Sequence, residues 1–353
     1  MKNVISLFMI DVGVIGATGY TGIELVRLLL AHPKVNLKLL TSEKSAGQKF
    51  SEAYPAFQGL CDLTLEPFYP KEVAKKIQVA FLCLPHKASQ EAVLQLRDFG
   101  VKVIDLSADF RLKSAKEYEQ WYDKHQCPEL LKEAVYGLPE LYRDKIKSAK
   151  IVANPGCYPT SVALALAPLL KEKMIALDSI IIDSKSGTSG AGRSASVDFL
   201  FCEVNEGFKA YKVGSHRHTP EIEQTLSDLA GEKIFVSFTP HLLPIDRGIL
   251  STIYVKPFRK LKTADVLKVF RNFYKNEKFV RIKPEGTLPN VKDVRATNFC
   301  DIAAIYDERV DRIVVLSAID NLTKGAAGQA LQNFNLISGF EEDLGLSLFP
   351  HIP

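Results

Sequence analysis

The feature that most constrains the fold lies near the start of the chain, where residues 12–22 read VGVIGATGYTG. Apolar residues precede and separate glycines at three-residue spacing, and apolar residues with helical spacing follow over 23–30. This order predicts a strand, a tight turn and a helix, the unit that holds a dinucleotide pyrophosphate on the N–H groups of a helix start. The spacing is GxxGxxG and no Gly-Lys-Ser/Thr follows, which argues against the phosphate-binding loop of nucleoside triphosphatases.

The strand predicted over 37–41 ends in the sequence TSEK at residues 41–44. In a dinucleotide fold this strand tip reads the ribose, where an acidic group suits the 2′-hydroxyl of NAD and a hydroxyl followed by lysine suits the 2′-phosphate of NADP. Glu43 keeps NAD open, but we favour NADP. The cofactor contacts expected from the two turns are Gly16, Thr18, Gly19, Tyr20, Thr21, Gly22, Ser42 and Lys44.

Further along, apolar strands predicted over 78–84 and 101–106 flank a helix predicted over 88–98. Such alternation predicts a doubly wound parallel sheet, and hence an α/β Rossmann domain. The second half of the chain carries β-rich segments with few helices between them, which predict an α+β domain built on a mostly antiparallel sheet. The uncovered face of that sheet suits a dimer interface. The β-rich segments are 233–239, 249–256, 301–307 and 312–319.

Charge and cysteine content limit the kinds of partner and of metal or disulfide site that this chain is expected to have. The 45 basic and 41 acidic residues are scattered, without a polybasic block, so nucleic acid is not expected. The six cysteines form no CxxC or Cys/His pattern, so neither a metal site nor a disulfide framework is expected. No apolar run near the start is long enough for a membrane span, and we expect a cytoplasmic protein. Its 353 residues exceed one ordinary domain, which predicts two.

One cysteine stands apart, in the sequence NPGCYPT at residues 154–160. A strand predicted over 151–154 ends just before it, and Pro159 suits the first position of the helix that follows. A thiol ahead of a helix start is activated by the helix dipole and by N–H groups that can also hold an oxyanion. We therefore interpret Cys157 as a nucleophile rather than as a small residue that fills a strand–helix junction.

A thiolate nucleophile needs a partner that handles protons, and the sequence SHRHTPEI at residues 215–222 is the richest candidate. The two histidines are two positions apart, which does not place both on one helix face and argues against a metal site. The loop SGTSGAGR, residues 186–193, suits an anion or a nicotinamide, or is a flexible connection. Arg111 either binds an anionic substrate through its guanidinium group or is a solvated loop charge.

Six motifs, in this order across nearly the whole chain, resemble those of the N-acetyl-γ-glutamyl-phosphate reductase family of arginine biosynthesis, in the superfamily of aspartate-semialdehyde dehydrogenase. The resemblance implies that Cys157 is the nucleophile, that His218 is the acid/base and that NADP is held by the glycine loops, including Ser186 and Gly187. The motifs are GATGYTGIELVRLL, DLSADFRL, NPGCYPTS, SGTSGAGR, HRHTPEI and NLTKGAAGQA.

By the same resemblance, Cys157 attacks an acyl phosphate and NADPH reduces the resulting thioester, which gives N-acetylglutamate 5-semialdehyde and phosphate. The candidate substrate contacts are Arg111, Arg193, His216 and Arg217. Two alternatives stay open. One is the homologous reductase of a carrier-protein-linked substrate, and the other is a non-catalytic NADP-sensing regulator, against which the cysteine and paired histidines argue.

The domain organisation follows from the same motifs. We expect an NADP-binding domain over 1–155 and 321–353, and a catalytic and dimerisation domain over 156–320. The small-residue helix expected over 324–333 would pack against the glycine-loop face, with Asn321 near the nicotinamide. The assembly expected is a homodimer or a homotetramer.

Overall fold

The strand that leads into the glycine-rich turn is an inner strand of a seven-stranded sheet in the computed structural model, which describes residues 9–346 and 349–350. The order is β3-β2-β1-β4-β5-β7-β6, and every neighbouring pair is parallel. The α/β Rossmann prediction is therefore confirmed. The strands are β1 Ile10–Ile15, β2 Val35–Thr41, β3 Leu65–Glu66, β4 Val79–Leu82, β5 Lys102–Asp105, β6 Ala134–Tyr136 and β7 Ile151–Ala153.

Helices connect these strands, as parallel pairing requires. Apolar residues on one side of α1, including Leu25 and Leu29, are fully buried, whereas Leu30 is exposed. All four residues of β4 are buried, which is the reason that it reads as a continuous apolar run. The helices of this part of the chain are α1 Tyr20–Leu30, α2 Phe50–Ala53, α3 Pro70–Lys76, α4 Ala88–Asp98, α5 Ala115–Trp121 and α6 Pro139–Lys147.

A second seven-stranded sheet follows, in the order β12-β13-β14-β11-β8-β10-β9. Four of its neighbouring pairs are antiparallel, and the pairs β8–β10 and β12–β13 are parallel. The predicted mostly antiparallel sheet is thus confirmed. Its strands are β8 Ile181–Ser186, β9 Lys209–Ala210, β10 Ser237–Leu242, β11 Ile249–Val255, β12 Val280–Ile282, β13 Cys300–Asp307 and β14 Arg312–Ile319.

Helix α7 packs against β11, β14 and α9, and residues 158–170 of it are all buried. This explains why the helix is apolar all round rather than amphipathic. A buried serine in its first turns, Ser161, bonds the hydroxyls of Ser251 and Ser317 on the sheet at 2.9 and 3.0 Å. The remaining α-helices are α7 Cys157–Lys171, α8 Phe201–Val204, α9 Thr219–Ala230, α10 Thr263–Phe273, α11 Val291–Val294 and α12 Gly328–Ile337.

Several connections carry short helical turns. A π-helical turn over Thr323–Ala327 leads directly into α12. Within residues 9–346 and 349–350, no helix is both long and apolar enough to cross a membrane. The 3₁₀ helices lie at Pro55–Phe57, Pro128–Lys132, Leu177–Ser179, Thr188–Ala191 and Val197–Phe199.

Helix α7 begins two residues earlier than the sequence predicted, at Cys157 rather than at Pro159. Gly156 is the N-cap in an extended conformation, and its carbonyl accepts both the N–H and the hydroxyl of Thr160 at 3.0 Å. Proline is tolerated at the third helical position, because the first N–H groups of a helix have no partner within it. Cys157 is therefore the first residue of the helix.

The described chain divides into two compact units. The first contains 9–119, 123–154 and 330–346, and the second contains 120–122, 155–329 and 349–350. Most of α12 belongs to the first unit, where Asn333 donates to the Gly137 carbonyl at 2.8 Å. The segment 321–329, including the π-helical turn, belongs to the second unit.

Candidate active site

The glycine-rich turn between β1 and α1 is shaped by the backbone itself. Gly16 has φ +85°, and a Cβ there would lie 2.6 Å from the carbonyl oxygen of Cys83, so only glycine fits. Its N–H donates to the Thr41 hydroxyl at 3.1 Å, which ties the turn to the end of β2. Gly19, the N-cap of α1, has an ordinary φ of −79°, and a Cβ there would come within 4.0 Å only of the Gly16 oxygen. Internal packing does not require glycine at 19, so the open space ahead of the helix fits a pyrophosphate.

The tip of β2 holds the residues expected to read the ribose. Ser42 is buried, and its hydroxyl lies 3.0 Å from the hydroxyl of Thr18 in the glycine-rich turn. The carboxylate of Glu43 accepts the N–H of Phe68 at 3.0 Å, and Lys44 is exposed. The two hydroxyls therefore lie together at the turn, while the acidic side chain is engaged by the backbone after β3. Tyr20 is exposed at the start of α1.

Arg111 is not the solvated loop charge that was one of its two predicted roles. It is buried, and its Nε and Nη2 donate to the carbonyls of Asn154 and Leu106 at 2.7 and 2.8 Å. It therefore braces the backbone that leaves β5 and β7. Asp105, the last residue of β5, is fully buried and accepts hydrogen bonds from Ser89 and Ser107. Burial, followed by the charge of Asp109, raises the pKa of Asp105 to about 6.

Cys157 lies at the first position of α7 and is half-buried. The N-terminal dipole of a long helix favours a thiolate there and an oxyanion nearby. Gly325, in the π-helical turn, packs directly on it, because a Cβ at Gly325 would lie 2.7 Å from the Cβ of Cys157. The close approach explains the first of the two glycines in the motif NLTKGAAGQA.

The two histidines of the HRH sequence differ in their surroundings. His216 is enclosed by the rings of Tyr158, Tyr211, Phe238 and His218, with centroids 5.0–5.5 Å away. Its Nδ1 accepts the N–H of His218 at 3.1 Å. Burial, together with the positive charges of Lys212 and Arg217, lowers the pKa of His216 to about 4. His216 is thus a neutral, caged ring that orients the backbone of its neighbour.

His218 is the N-cap of α9 and is half-buried. Its ring lies 5.9 Å, between centroids, from that of Tyr158, the residue that follows Cys157. The hydroxyls of Tyr158 and Tyr211 are 3.0 Å apart, and burial raises the pKa of both phenols, that of Tyr211 to about 12. Both tyrosines therefore stay protonated beside the histidine pair.

Sequence reasoning missed Glu221, which is buried in the first turn of α9. Its Oε1 accepts the N–H of Gly156 at 2.8 Å, immediately before Cys157. The structure thus brings residues on both sides of the cysteine, Gly156 and Tyr158, against the segment 216–221. An acidic residue early in a helix is commonly read as dipole compensation, so no sequence signal set Glu221 apart.

The loop at 186–192 is held by backbone rather than left flexible. The N–H groups of Thr188 and Ser189 donate to the carbonyls of Ile245 and Asp246 at 2.9 and 3.1 Å. The side-chain amide of Asn321 joins the same loop, because its oxygen accepts the Gly248 N–H at 2.7 Å and its nitrogen donates to the Ser189 hydroxyl at 2.9 Å.

Ser186 and the remaining arginines complete the predicted set. Ser186 is buried, and its hydroxyl donates to the Gly187 carbonyl at 3.0 Å. Arg193 and Arg217 are exposed, and the Arg217 guanidinium lies 5.5 Å from the centroid of the Tyr122 ring. Arg247 was missed: it pairs with the fully buried Asp320 at 2.9 Å and bonds the Thr323 hydroxyl at 2.8 Å, which anchors the start of the π-helical turn.

Two family models match the chain over these same regions. The semialdehyde dehydrogenase NAD binding domain matches residues 11–149, and the semialdehyde dehydrogenase dimerisation domain matches residues 157–321. A protein of Pelobacter propionicus named N-acetyl-gamma-glutamyl-phosphate reductase is 56% identical over 346 residues, which are 97% of this chain and 100% of that relative. The chain belongs to the N-acetyl-γ-glutamyl-phosphate reductase family.

Other members of the reductase family agree over the same length. The protein of that name from Citrifermentans bemidjiense is also 56% identical, and the match covers 98% of this chain and 100% of the relative. Among solved structures, aspartate semialdehyde dehydrogenase II of Vibrio cholerae has a TM-score of 0.72 at 18% identity, over 94% of this chain and 99% of that one. Aspartate semialdehyde dehydrogenase of Candida albicans, solved with NADP, has a TM-score of 0.69 at 16% identity, over 94% and 98%. These solved structures share the fold.

Proposed function

We propose that the chain catalyses the NADPH-dependent reduction of N-acetyl-γ-glutamyl phosphate to N-acetylglutamate 5-semialdehyde and phosphate, in arginine biosynthesis. The observation that carries this proposal is Cys157 at the first residue of α7, followed by Tyr158, whose ring contacts both histidines, in a chain that matches the named reductases over their full length. An NAD(P)-dependent oxidoreductase of this kind needs a covalent nucleophile because a thioester accepts hydride more readily than a carboxylate does.

The residues divide the chemistry as follows. His218 accepts the thiol proton as the Cys157 sulfur forms a bond to the acyl carbon, and the carbon–oxygen bond to phosphate breaks with its electron pair leaving on phosphate. The N–H groups at the start of α7 stabilise the oxyanion of each tetrahedral species. NADPH supplies the hydride that reduces the thioester carbon. Re-formation of the carbonyl then expels the thiolate, which recovers its proton from His218.

The binding roles are proposed from placement and charge. The glycine-rich turn with Gly16, Gly19 and Gly22 would hold the pyrophosphate. The loop with Ser186 and Gly187 would border the nicotinamide. Arg111, Arg193, His216 and Arg217 stay candidates for substrate contact, and Arg111 also braces the backbone after β5 and β7. Residues of the first unit, with 330–346 as their carboxy-terminal part, would form the NADP-binding domain.

The deciding assay follows NADP reduction with N-acetylglutamate 5-semialdehyde and phosphate. The parent chain should turn over, and Cys157→Ala should lower the rate by far more than tenfold while NADP binding persists. His218→Ala should also lower turnover strongly. A Cys157→Ala rate within about tenfold of the parent, a barrier change of only ~1.4 kcal/mol, would contradict the nucleophile assignment.

Cofactor choice is proposed as NADP over NAD. Ser42 beside Thr18, with Lys44 exposed at the strand tip, suits a 2′-phosphate, and Glu43 is engaged by the Phe68 N–H. A structural neighbour was solved with NADP. NADPH should therefore be used more efficiently than NADH, and Ser42→Asp combined with Lys44→Ala should flatten or reverse the preference. Equal kcat/KM for both cofactors in the parent would refute this assignment.

A further inference from the structure

Glu221 links the two helices that carry the reactive side chains. Its carboxylate Oε1 accepts the Gly156 N–H at 2.8 Å, and only 1% of the residue is exposed. Gly156 is the N-cap of α7, next to Cys157, and Glu221 is the third residue of α9, whose N-cap is His218. A single carboxylate therefore joins the backbone before the nucleophile to the helix that presents the proposed acid/base.

Both backbone groups of Gly156 are held. Its carbonyl accepts two hydrogen bonds from Thr160, within α7, and its N–H is bonded by Glu221 from α9. The position and direction of the first turn of α7 consequently depend on an acceptor supplied by α9. A helix end frays readily when such an end group is lost.

We infer that Glu221 is a positioning residue that fixes the first turn of α7 and thereby holds the Cys157 thiol in register with His218. It touches neither substrate nor cofactor in this role and acts through the Gly156 backbone. Its charge is secondary to its hydrogen bond, since an uncharged amide oxygen at the same place accepts from the same N–H. The inference rests on the proposed function for its turnover readout alone.

The turnover test compares Glu221→Ala with Glu221→Gln. The alanine variant has no acceptor for Gly156, and kcat should fall by about tenfold or more, since misplacement of a reacting group is costly. The glutamine variant should recover most of that loss. A kcat for Glu221→Ala within about threefold of the parent overturns the inference. Equal losses in both variants overturn it too, because they assign the effect to the charge.

A second readout needs neither substrate nor cofactor. The rate of Cys157 alkylation by iodoacetamide is followed by mass spectrometry of the cysteine peptide over a pH series. Fraying of the helix start withdraws stabilisation from the thiolate, so the midpoint pH should rise in Glu221→Ala and should not rise in Glu221→Gln. An unchanged midpoint pH in the alanine variant overturns the inference. So does a midpoint pH that falls in both variants, because loss of a nearby negative charge alone produces that result.

Glu223→Ala is the matched control on the same helix. Glu223 also accepts a backbone N–H through its carboxylate, that of Val236 at 3.1 Å, on the approach to β10 rather than at α7. It should lower the melting temperature without moving the alkylation midpoint. A midpoint that rises equally in Glu223→Ala overturns the inference, because loosening of α9 in general then explains it. A parent inactive in the reductase assay refutes the proposed function, while the alkylation series still tests Glu221.

Discussion

His216 and His218 are two positions apart, yet the fold gives them opposite surroundings. His216 is enclosed by four rings and accepts a backbone N–H through Nδ1, whereas His218 occupies the N-cap position of α9. A caged, neutral imidazole cannot easily gain the proton that an acid/base must carry. This difference in surroundings favours His218 for the proton-transfer role, independently of the family resemblance.

Because its ring is enclosed, His216 makes the free energy of unfolding depend on pH in the acid range. Its pKa is about 4 in the folded protein against an ordinary 6.5, so the unfolded chain takes up the proton first as the pH falls. Folded-state stability should therefore decline from pH 6.5 towards pH 4. In His216→Asn, whose side-chain oxygen can replace Nδ1 as acceptor, the loss of melting temperature between pH 7 and pH 5 should be smaller than in the parent. An equal or larger loss in the variant would contradict the assignment.

At the scale of elements, the surroundings of the proposed nucleophile are formed by two helix starts and one irregular turn. Helix α7 presents Cys157 at its first position, α9 anchors the preceding glycine through Glu221, and the π-helical turn packs Gly325 on the thiol-bearing residue. The half-buried Arg247 and the fully buried Asp320 hold that turn by an ion pair. Irregular helical turns of this kind are common at functional sites.

Gly325→Ala tests the contribution of the π-helical turn. The added methyl group would lie 2.7 Å from the Cβ of Cys157, closer than side-chain carbons approach, so the cysteine or the turn must move. We expect kcat in the reductase assay to fall by about tenfold or more, with NADPH binding retained, since misplacement of the nucleophile weakens only the covalent step. Ala326→Ser, one residue along the same turn, is the control. Parent-like turnover in Gly325→Ala would show that the close contact has no catalytic importance.

At the scale of the whole molecule, the second sheet leaves apolar residues exposed. Ile181 on β8 and Tyr254 on β11 are register partners, and they are 49% and 39% exposed. Exposed apolar side chains on a sheet face are suited to burial against a second chain. This region of the chain matches a dimerisation domain. We propose that this face forms a homodimer interface.

The assembly is tested by light scattering during gel filtration. The double variant Ile181→Asp and Tyr254→Asp places charges on the proposed interface, and its dimer should dissociate at concentrations at which the parent remains a dimer. Phe258→Asp, at an exposed apolar residue beyond the end of β11, is the control for a general loss of solubility. A double variant that keeps the parent mass would place the interface elsewhere.

The sequence alone determined the Rossmann domain and the place of the proposed nucleophile between a strand and a helix. Strand, glycine turn and helix are local patterns, since backbone freedom at Gly16 and side-chain periodicity depend on neighbouring residues in the chain. The helix 88–98 was predicted at its observed bounds for the same reason. The position of Cys157 after a strand and before a helix was likewise readable, apart from the two-residue error in the helix start.

Only the tertiary structure decided what surrounds these local features. Glu221 and Gly156 are 65 positions apart, and Arg247 and Asp320 are 73 apart, so no local pattern marks either pair. Arg111 looked equally suited to substrate and to solvent, and only the fold shows that it is buried and donates to the Asn154 carbonyl, 43 positions away. A buried polar group must find a partner wherever the fold places one, because an unpaired group in the interior is costly. That partner is chosen by the packing of whole helices and strands, which the chain's local chemistry does not specify.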